Sequence, residues 1–102
     1  MHRLAALLGL LLSSPFLLAE DDPARLFASK PCATCHHPDQ PRLGPSLQAI
    51  AALYADQPDA ATRLAQRIRQ GGQGNWGPIP MPPQPVSEAE SRLLAEWILK
   101  QR

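Results

Sequence analysis

Only two cysteines occur in the 102-residue chain, and both fall within one stretch of four residues, Cys32 to Cys35. They cannot close a long loop, so a disulfide framework is ruled out as the main support of the fold. Positive charge exceeds negative by only one: ten Lys and Arg stand against nine Asp and Glu, with no basic stripe to bind nucleic acid. No stretch is long and apolar enough to span a bilayer. Residues 4–12 form an apolar run of nine, where about 20 are needed. No alternating strand pattern and no internal repeat can be seen. Methionine is also scarce, with two residues, one of them Met1.

The short apolar run belongs to a leader. Met1-His2-Arg3 is a basic start, and Ser13, Ser14 and Pro15 break the run. Phe16-Leu17-Leu18-Ala19 then leads to a cut before Glu20. Residues 1–19 are therefore expected to be a signal peptide and 20–102 one domain exported to the periplasm. Leu17 is large for its place three residues before the cut, which leaves a retained anchor as the alternative. With Arg3 removed, nine basic residues balance nine acidic ones and the net charge is zero. A domain this small has a thin core and needs a staple.

The staple is legible in Cys32-Ala33-Thr34-Cys35-His36. C-x-x-C-H is the spacing of covalent haem c attachment. Two thiols two residues apart add to the two vinyl groups of one haem, and the adjoining His36 is held under the iron. A bare C-x-x-C also fits a dithiol redox site or half a zinc site. The dithiol reading wants a βαβ context, and no strand is visible.

Helix signals surround the motif. Asp22-Pro23 is an N-cap followed by proline at the first helical position, and Lys30-Pro31 ends that helix. Residues 37–45, with three prolines and Gly44, are expected to be loop. Ser46 opens a second helix to about Ala55, with Leu47, Ile50, Leu53 and Tyr54 near one face. Asp59 is the expected cap of a third helix to Gln70, stopped by Gly71-Gly72. Residues 71–86 are dense in Gly and Pro and read as ordered loop. Ser87-Glu88-Ala89-Glu90 is a capping box before a last helix with Leu93, Leu94, Trp97 and Ile98. The sum is a small all-α domain of about four helices wrapped around one haem.

A second axial ligand follows by elimination. His2 leaves with the leader, and His37 is too close to His36 to reach the opposite face. Met81 is the one methionine left in residues 20–102, within Pro78-Ile79-Pro80-Met81-Pro82-Pro83. The prolines stiffen that segment. Met81 could instead fill a gap in the core, as methionine often does. His/Met ligation raises the reduction potential. A closed six-coordinate iron has no position for substrate, which favours an electron carrier over an enzyme. The alternative is a haem-containing subunit or sensor with a displaceable distal ligand.

With these residues in view, the chain resembles the short bacterial class I cytochromes c of the pseudomonad type. The resemblance covers Asp22-Pro23, Leu26-Phe27, the haem motif, Gly44-Pro45, Leu64-Ala65-Gln66-Arg67-Ile68 and Trp97. Its most specific stretch is Gly74-Asn75-Trp76-Gly77-Pro78-Ile79-Pro80-Met81-Pro82-Pro83. It implies one covalent haem c held by Cys32 and Cys35, with His36 and Met81 axial. It implies that the Pro45 carbonyl accepts from the other ring nitrogen of His36, and that Arg67 and Trp76 donate to a haem propionate. It also implies transient partners of a respiratory or denitrifying chain. Nitrite reductase or a terminal oxidase would be the acceptor, and the quinol–cytochrome c reductase chain or another cytochrome the donor. The carrier would be a monomer, without stable membrane insertion once processed. The docking patch would include Ala33, Leu43, Ile79, Pro80, Pro82 and Pro83, with Lys30 and Arg42 on its rim. One departure stands out: the group often has Asn three residues after the methionine, where this chain has Gln84.

Overall fold

The computed structural model describes residues 22–102, and the leader expected over 1–19 lies outside them. The described chain runs α1 (Pro23–Ser29), α2 (Cys32–Cys35), α3 (Leu47–Tyr54), α4 (Ala60–Gln70), β1 (Gly72–Gly74), β2 (Gly77–Met81) and α5 (Glu88–Leu99). α5 packs against α1, α3 and α4 and so forms the spine of the domain.

α1 begins as its first two residues dictate. The Asp22 carboxylate accepts from the Ala24 N–H at 3.1 Å, and Pro23 needs no partner for an N–H it lacks. Leu26 and Phe27 are buried, and Lys30 turns to extended backbone (φ −96°, ψ 169°) ahead of Pro31. α3 is capped by the Ser46 hydroxyl, which accepts from the Ala49 N–H at 3.1 Å. Leu47, Ile50, Ala51 and Tyr54 face inward. Leu53 does not join them: it is 42 % exposed, because the buried stripe runs through 47, 50, 51 and 54 and position 53 falls off its edge.

α4 starts differently from its sequence expectation. Asp59 holds a left-handed backbone (φ 57°, ψ 30°), and its side chain makes no capping hydrogen bond. A capping residue normally has extended backbone, which aims its oxygen at the free N–H groups. In the left-handed region the carboxylate swings away, and the turn opens with the Asp59 carbonyl accepting from the Arg63 N–H at 2.9 Å. Asp tolerates this conformation better than most residues. Leu64, Ala65 and Ile68 are buried, and Gly71 (φ 69°) ends the helix.

The segment expected to be loop over 71–86 contains an antiparallel ribbon. Gly72 pairs with Met81 and Gly74 with Gly77, with a register irregularity between them. Pro78 and Pro80 hid it from a pattern search, since proline demotes a strand. They alternate with residues that keep their N–H groups, and β2 has a single neighbour. The missing donors therefore cost the ladder little.

The capping box of α5 is complete. The Ser87 hydroxyl accepts from the Glu90 N–H at 3.0 Å, and the Glu90 carboxylate accepts from the Ser87 N–H at 2.8 Å. That hydrogen bond holds the Glu90 carboxyl below its ordinary value. A depressed carboxyl contributes stability above its unfolded value and loses it as the pH falls through the folded one. Further along, the fully buried Ser91 accepts from Arg69 Nη1 at 2.6 Å and donates to the Glu88 carbonyl at 2.7 Å, tying α4 to α5. Leu94, Ala95 and Ile98 continue the buried face, and Trp97 meets the Phe27 ring at 5.4 Å between centroids.

Ser87→Ala removes one half of the capping box directly and leaves Glu90 to cap alone. The expected cost is about 1 kcal/mol, read as a lower urea midpoint for the variant with an unchanged slope. An unmoved midpoint would show that the box contributes nothing.

Candidate functional site

The two cysteines sit in a single helical turn. The His36 N–H donates to the Cys32 carbonyl at 2.9 Å, which places Cys32 and Cys35 on one side, three residues apart. Both are free thiols, half-buried, and both line a cleft of about 350 Å³. Burial pushes the Cys32 thiol up, outweighing the backbone hydrogen bond and the Lys30 charge that pull it down. A catalytic dithiol needs a lowered thiol, and burial moves Cys32 the other way. Among the described residues no three His, Cys, Asp or Glu side chains gather as a metal cluster.

His36 leaves the turn with extended backbone (φ −119°, ψ 142°). Its Nδ1 lies 2.7 Å from the Pro45 carbonyl. A carbonyl only accepts, so Nδ1 must carry the proton and donate it. The Nε2 lone pair is thereby left free for a ligand. The loop behind the ring is pinned by Gly44 N–H to Cys35 carbonyl (2.8 Å) and Leu47 N–H to His37 carbonyl (3.0 Å). Gly44 has no substitute here, since a Cβ on it would lie 2.5 Å from His36 Cε1. His37 pairs with Asp39 at 3.0 Å and stays out of the cleft.

The ribbon brings Met81 to the same cleft. Its pairing with Gly72 anchors it at one end, and the Gln84 N–H anchors the loop beyond it to the Ile68 carbonyl at 3.1 Å. The Gln84 side chain folds back on its own loop, with Nε2 donating to the Pro82 carbonyl at 2.8 Å. Its Oε1 is buried without a hydrogen-bond partner among the described residues. The amide donor that the resemblance would aim at the sulfur is thus held by the backbone. Arg67 also lines the cleft, its guanidinium lying so close to Gly72 that a Cβ there would overlap Nη1. Trp76, in the turn of the ribbon, is 49 % exposed at the cleft mouth. It is not an interior tryptophan; Trp97, against Phe27, packs on the core.

Much of the remaining wall is apolar, with Phe27, Leu47, Ile50, Leu64, Leu94 and Ile98. Sequence reasoning placed these in the core, which is true of their positions, and missed that the core opens onto the cleft. Helical periodicity reports that a side chain faces inward and is silent on whether it meets protein or a ligand. The donor set fits a flat apolar macrocycle. It offers two thiols at one edge, an imidazole with a free Nε2, a thioether, and a floor of hydrocarbon.

The cytochrome c family profile matches residues 21–102. The chain belongs to the cytochrome c family. It is similar to cytochrome c-551 of Stutzerimonas stutzeri, with 53 % identity over 94 residues that cover 92 % of this chain and 88 % of that one. Cytochrome c-551 of Pseudomonas aeruginosa is 48 % identical over 96 residues, covering 90 % of this chain and 92 % of that one. Among solved structures, wild-type Nitrosomonas europaea cytochrome c552 superposes with a TM-score of 0.75 and 48 % identity, covering 78 % of this chain and 99 % of that one. The expected all-α class I cytochrome c fold of the pseudomonad type is therefore correct. A cytochrome c of this kind holds one haem c covalently per chain and works as an electron carrier, not an enzyme.

Gly44→Ala drives a methyl group into the His36 ring. Overpacking of this kind costs about 1–3 kcal/mol. Chemical denaturation of the haem-loaded variant is expected to show that loss, whereas a midpoint equal to wild type would mean the ring can move freely.

Proposed function

We propose that this cytochrome c is a periplasmic single-electron carrier with His36 and Met81 as axial ligands of its haem iron. The observation that supports this most directly is the 2.7 Å hydrogen bond from His36 Nδ1 to Pro45. It commits the ring to the tautomer a metal needs, and Met81 lines the same cleft. When bound, the haem supplies a one-electron ferric–ferrous couple. Cys32 and Cys35 would hold it through thioethers, and Arg67 and Trp76, at the cleft mouth, would donate to a propionate. The apolar floor keeps water away and disfavours the extra charge of the ferric state, and the soft Met81 sulfur favours the ferrous one. Both effects raise the potential.

Export follows from residues 1–19 read as a cleaved leader, with residues 20–102 as the working domain. Among the described residues no helix is long and apolar enough to cross a membrane. Leu43 and Ile79 are 65 % and 64 % exposed, and with half-exposed Trp76 they surround the cleft mouth. An apolar rim of this kind suits brief contact with redox proteins. Electron-transfer contacts bury little surface, below about 1,200 Å² in total. The acceptor would be a nitrite reductase or terminal oxidase, and the donor a quinol–cytochrome c reductase chain or another cytochrome.

Absorption spectra of the purified protein test the ligation. The oxidised form should show a weak far-red sulfur-to-iron band, and the reduced form should ignore carbon monoxide. Met81→Ala should lose the band and bind carbon monoxide rapidly. A wild-type protein that already behaves like that variant would overturn the assignment. Gln84→Asn should shift the midpoint potential while keeping the far-red band, because it frees the Pro82 carbonyl and retracts the buried Oε1. Loss of the band in that variant would mean that Gln84 is needed for ligation itself.

A further inference from the structure

Gly71 has a second task besides ending α4. Its backbone (φ 69°, ψ −167°) lies in a region open essentially to glycine alone. A Cβ built there would overlap the Met81 carbonyl oxygen and lie 2.8 Å from both the Pro82 carbonyl carbon and the Pro83 nitrogen. Ordinary contact begins near 3.4 Å. The segment that carries Met81 therefore rests on the bare Cα of Gly71, backbone against backbone. Gly74 and Gly77 share the positive φ (110° and 111°), yet a Cβ on either meets nothing within 4 Å. The close approach is thus a property of Gly71 and not of ribbon glycines in general.

The two sides of this contact are held unequally. The Gly71 N–H donates to the Arg67 carbonyl at 2.8 Å, which fixes it to the end of α4. α4 is fixed in turn by buried Leu64, Ala65 and Ile68 and by the hydrogen bond from Arg69 to Ser91 of α5. The Met81 side has fewer supports. Beyond the ribbon's own pairing, no backbone hydrogen bond among the described residues joins 72–83 to a helix. The next tether is the Gln84 N–H to the Ile68 carbonyl at 3.1 Å. Pro82 and Pro83 have no N–H to add another. A push at Gly71 is therefore taken up by the Met81 segment and not by α4. The opposite wall cannot follow, because the His36 ring and the 37–45 loop are tied to Pro45, the cysteine turn and α3.

We propose that Gly71 is a positioning residue for Met81. Its missing side chain sets how deeply the Met81 backbone seats, and so how far the thioether reaches into the cleft. This role rests on Met81 being the axial ligand proposed above. A methyl group on Gly71 would force the Pro82–Pro83 backbone back by more than about half an ångström to restore ordinary contact. Metal–ligand distances hold to within about 0.2 Å, so the sulfur would be withdrawn from bonding range while His36 stayed in place.

The test compares the haem-loaded wild type with Gly71→Ala and Gly74→Ala. Gly74→Ala places a side chain at positive φ without a contact, so it separates backbone strain from the push on Met81. Helical circular dichroism and the c-type spectrum report that each chain is folded and loaded. Gly71→Ala is expected to lose the far-red sulfur-to-iron band and to bind carbon monoxide when reduced, whereas Gly74→Ala keeps the band and ignores carbon monoxide. A band kept in Gly71→Ala, or lost equally in both variants, would overturn the proposal. If Gly71→Ala does not retain haem, Met81→Ala gives the reciprocal reading. Releasing the sulfur should speed hydrogen exchange at the Gly71 and Gln84 amides about tenfold and leave the Leu47 and Gln48 amides unchanged. Unaltered exchange at Gly71 would then overturn the role. A wild-type protein without the far-red band would instead refute the ligation. A nuclear Overhauser effect between the Gly71 α-protons and the Pro83 δ-protons would still decide whether Gly71 seats the segment, and its absence would dismiss the seat.

Discussion

The hydrogen bond from His36 Nδ1 to the Pro45 carbonyl is the constraint around which the site is organised. It decides the tautomer, because a carbonyl has no proton to give. It decides the direction of the ring as well, since Nε2 must then point away from Pro45 and into the cleft. Two other features keep it in place. Gly44 leaves the room the ring occupies, and the 37–45 loop is tied by its own backbone to the cysteine turn and to α3. Under the ligation proposed above, a ring fixed at one nitrogen would need no reorganisation when the charge on the iron changes. That is what rapid electron transfer asks of a ligand.

The hydrophobic core and the cofactor cleft are one body of side chains. Leu47, Ile50, Leu64, Leu94 and Ile98 each belong to the buried cluster and also line the cleft. A domain of this size buries a smaller share of its surface than a larger one does. Haem held in the cleft would extend the core with a large rigid apolar disc, and stability and function would then depend on the same walls. The polar clamp through Arg69, Ser91 and Glu88 ties α4 to α5 and keeps the two helices in register.

Across the cleft the arrangement is stiff for a different reason. Met81 lies in a ribbon rich in proline, tied by Gly72 on one side and by the Gln84 N–H to α4 on the other. The Gln84 amide N–H donates to the Pro82 carbonyl, which leaves a buried oxygen close behind without a partner among the described residues. The loop therefore supports the thioether through backbone geometry, with its side-chain amide turned inward on itself. The same ribbon seats Arg67 on Gly72, so the Met81 wall and the basic rim of the cleft share one support.

Much of this was legible in the amino-acid order. The haem motif, the caps at Asp22 and Ser46, the box at Ser87 and Glu90, and the singular position of Met81 are local signals. Each depends on residues a few positions apart, which is why sequence alone determined α1, α3, α5 and the attachment chemistry. Asp59 shows the limit of such signals, because a capping residue is useful only if its backbone aims it, and the turn into α4 chose a left-handed one. The ribbon over 72–81 was hidden because its prolines matter only relative to the edge they face, and an edge exists only once a partner strand is placed. Spacing alone does not separate Ile50 from Leu53 on a broad apolar stripe, yet Ile50 turned inward and Leu53 did not. Tertiary structure also decided that Trp76 stands at the mouth while Trp97 packs on the core. These are facts about which distant segments meet, and that is settled by how α4, α5 and the ribbon pack rather than by any local run of residues.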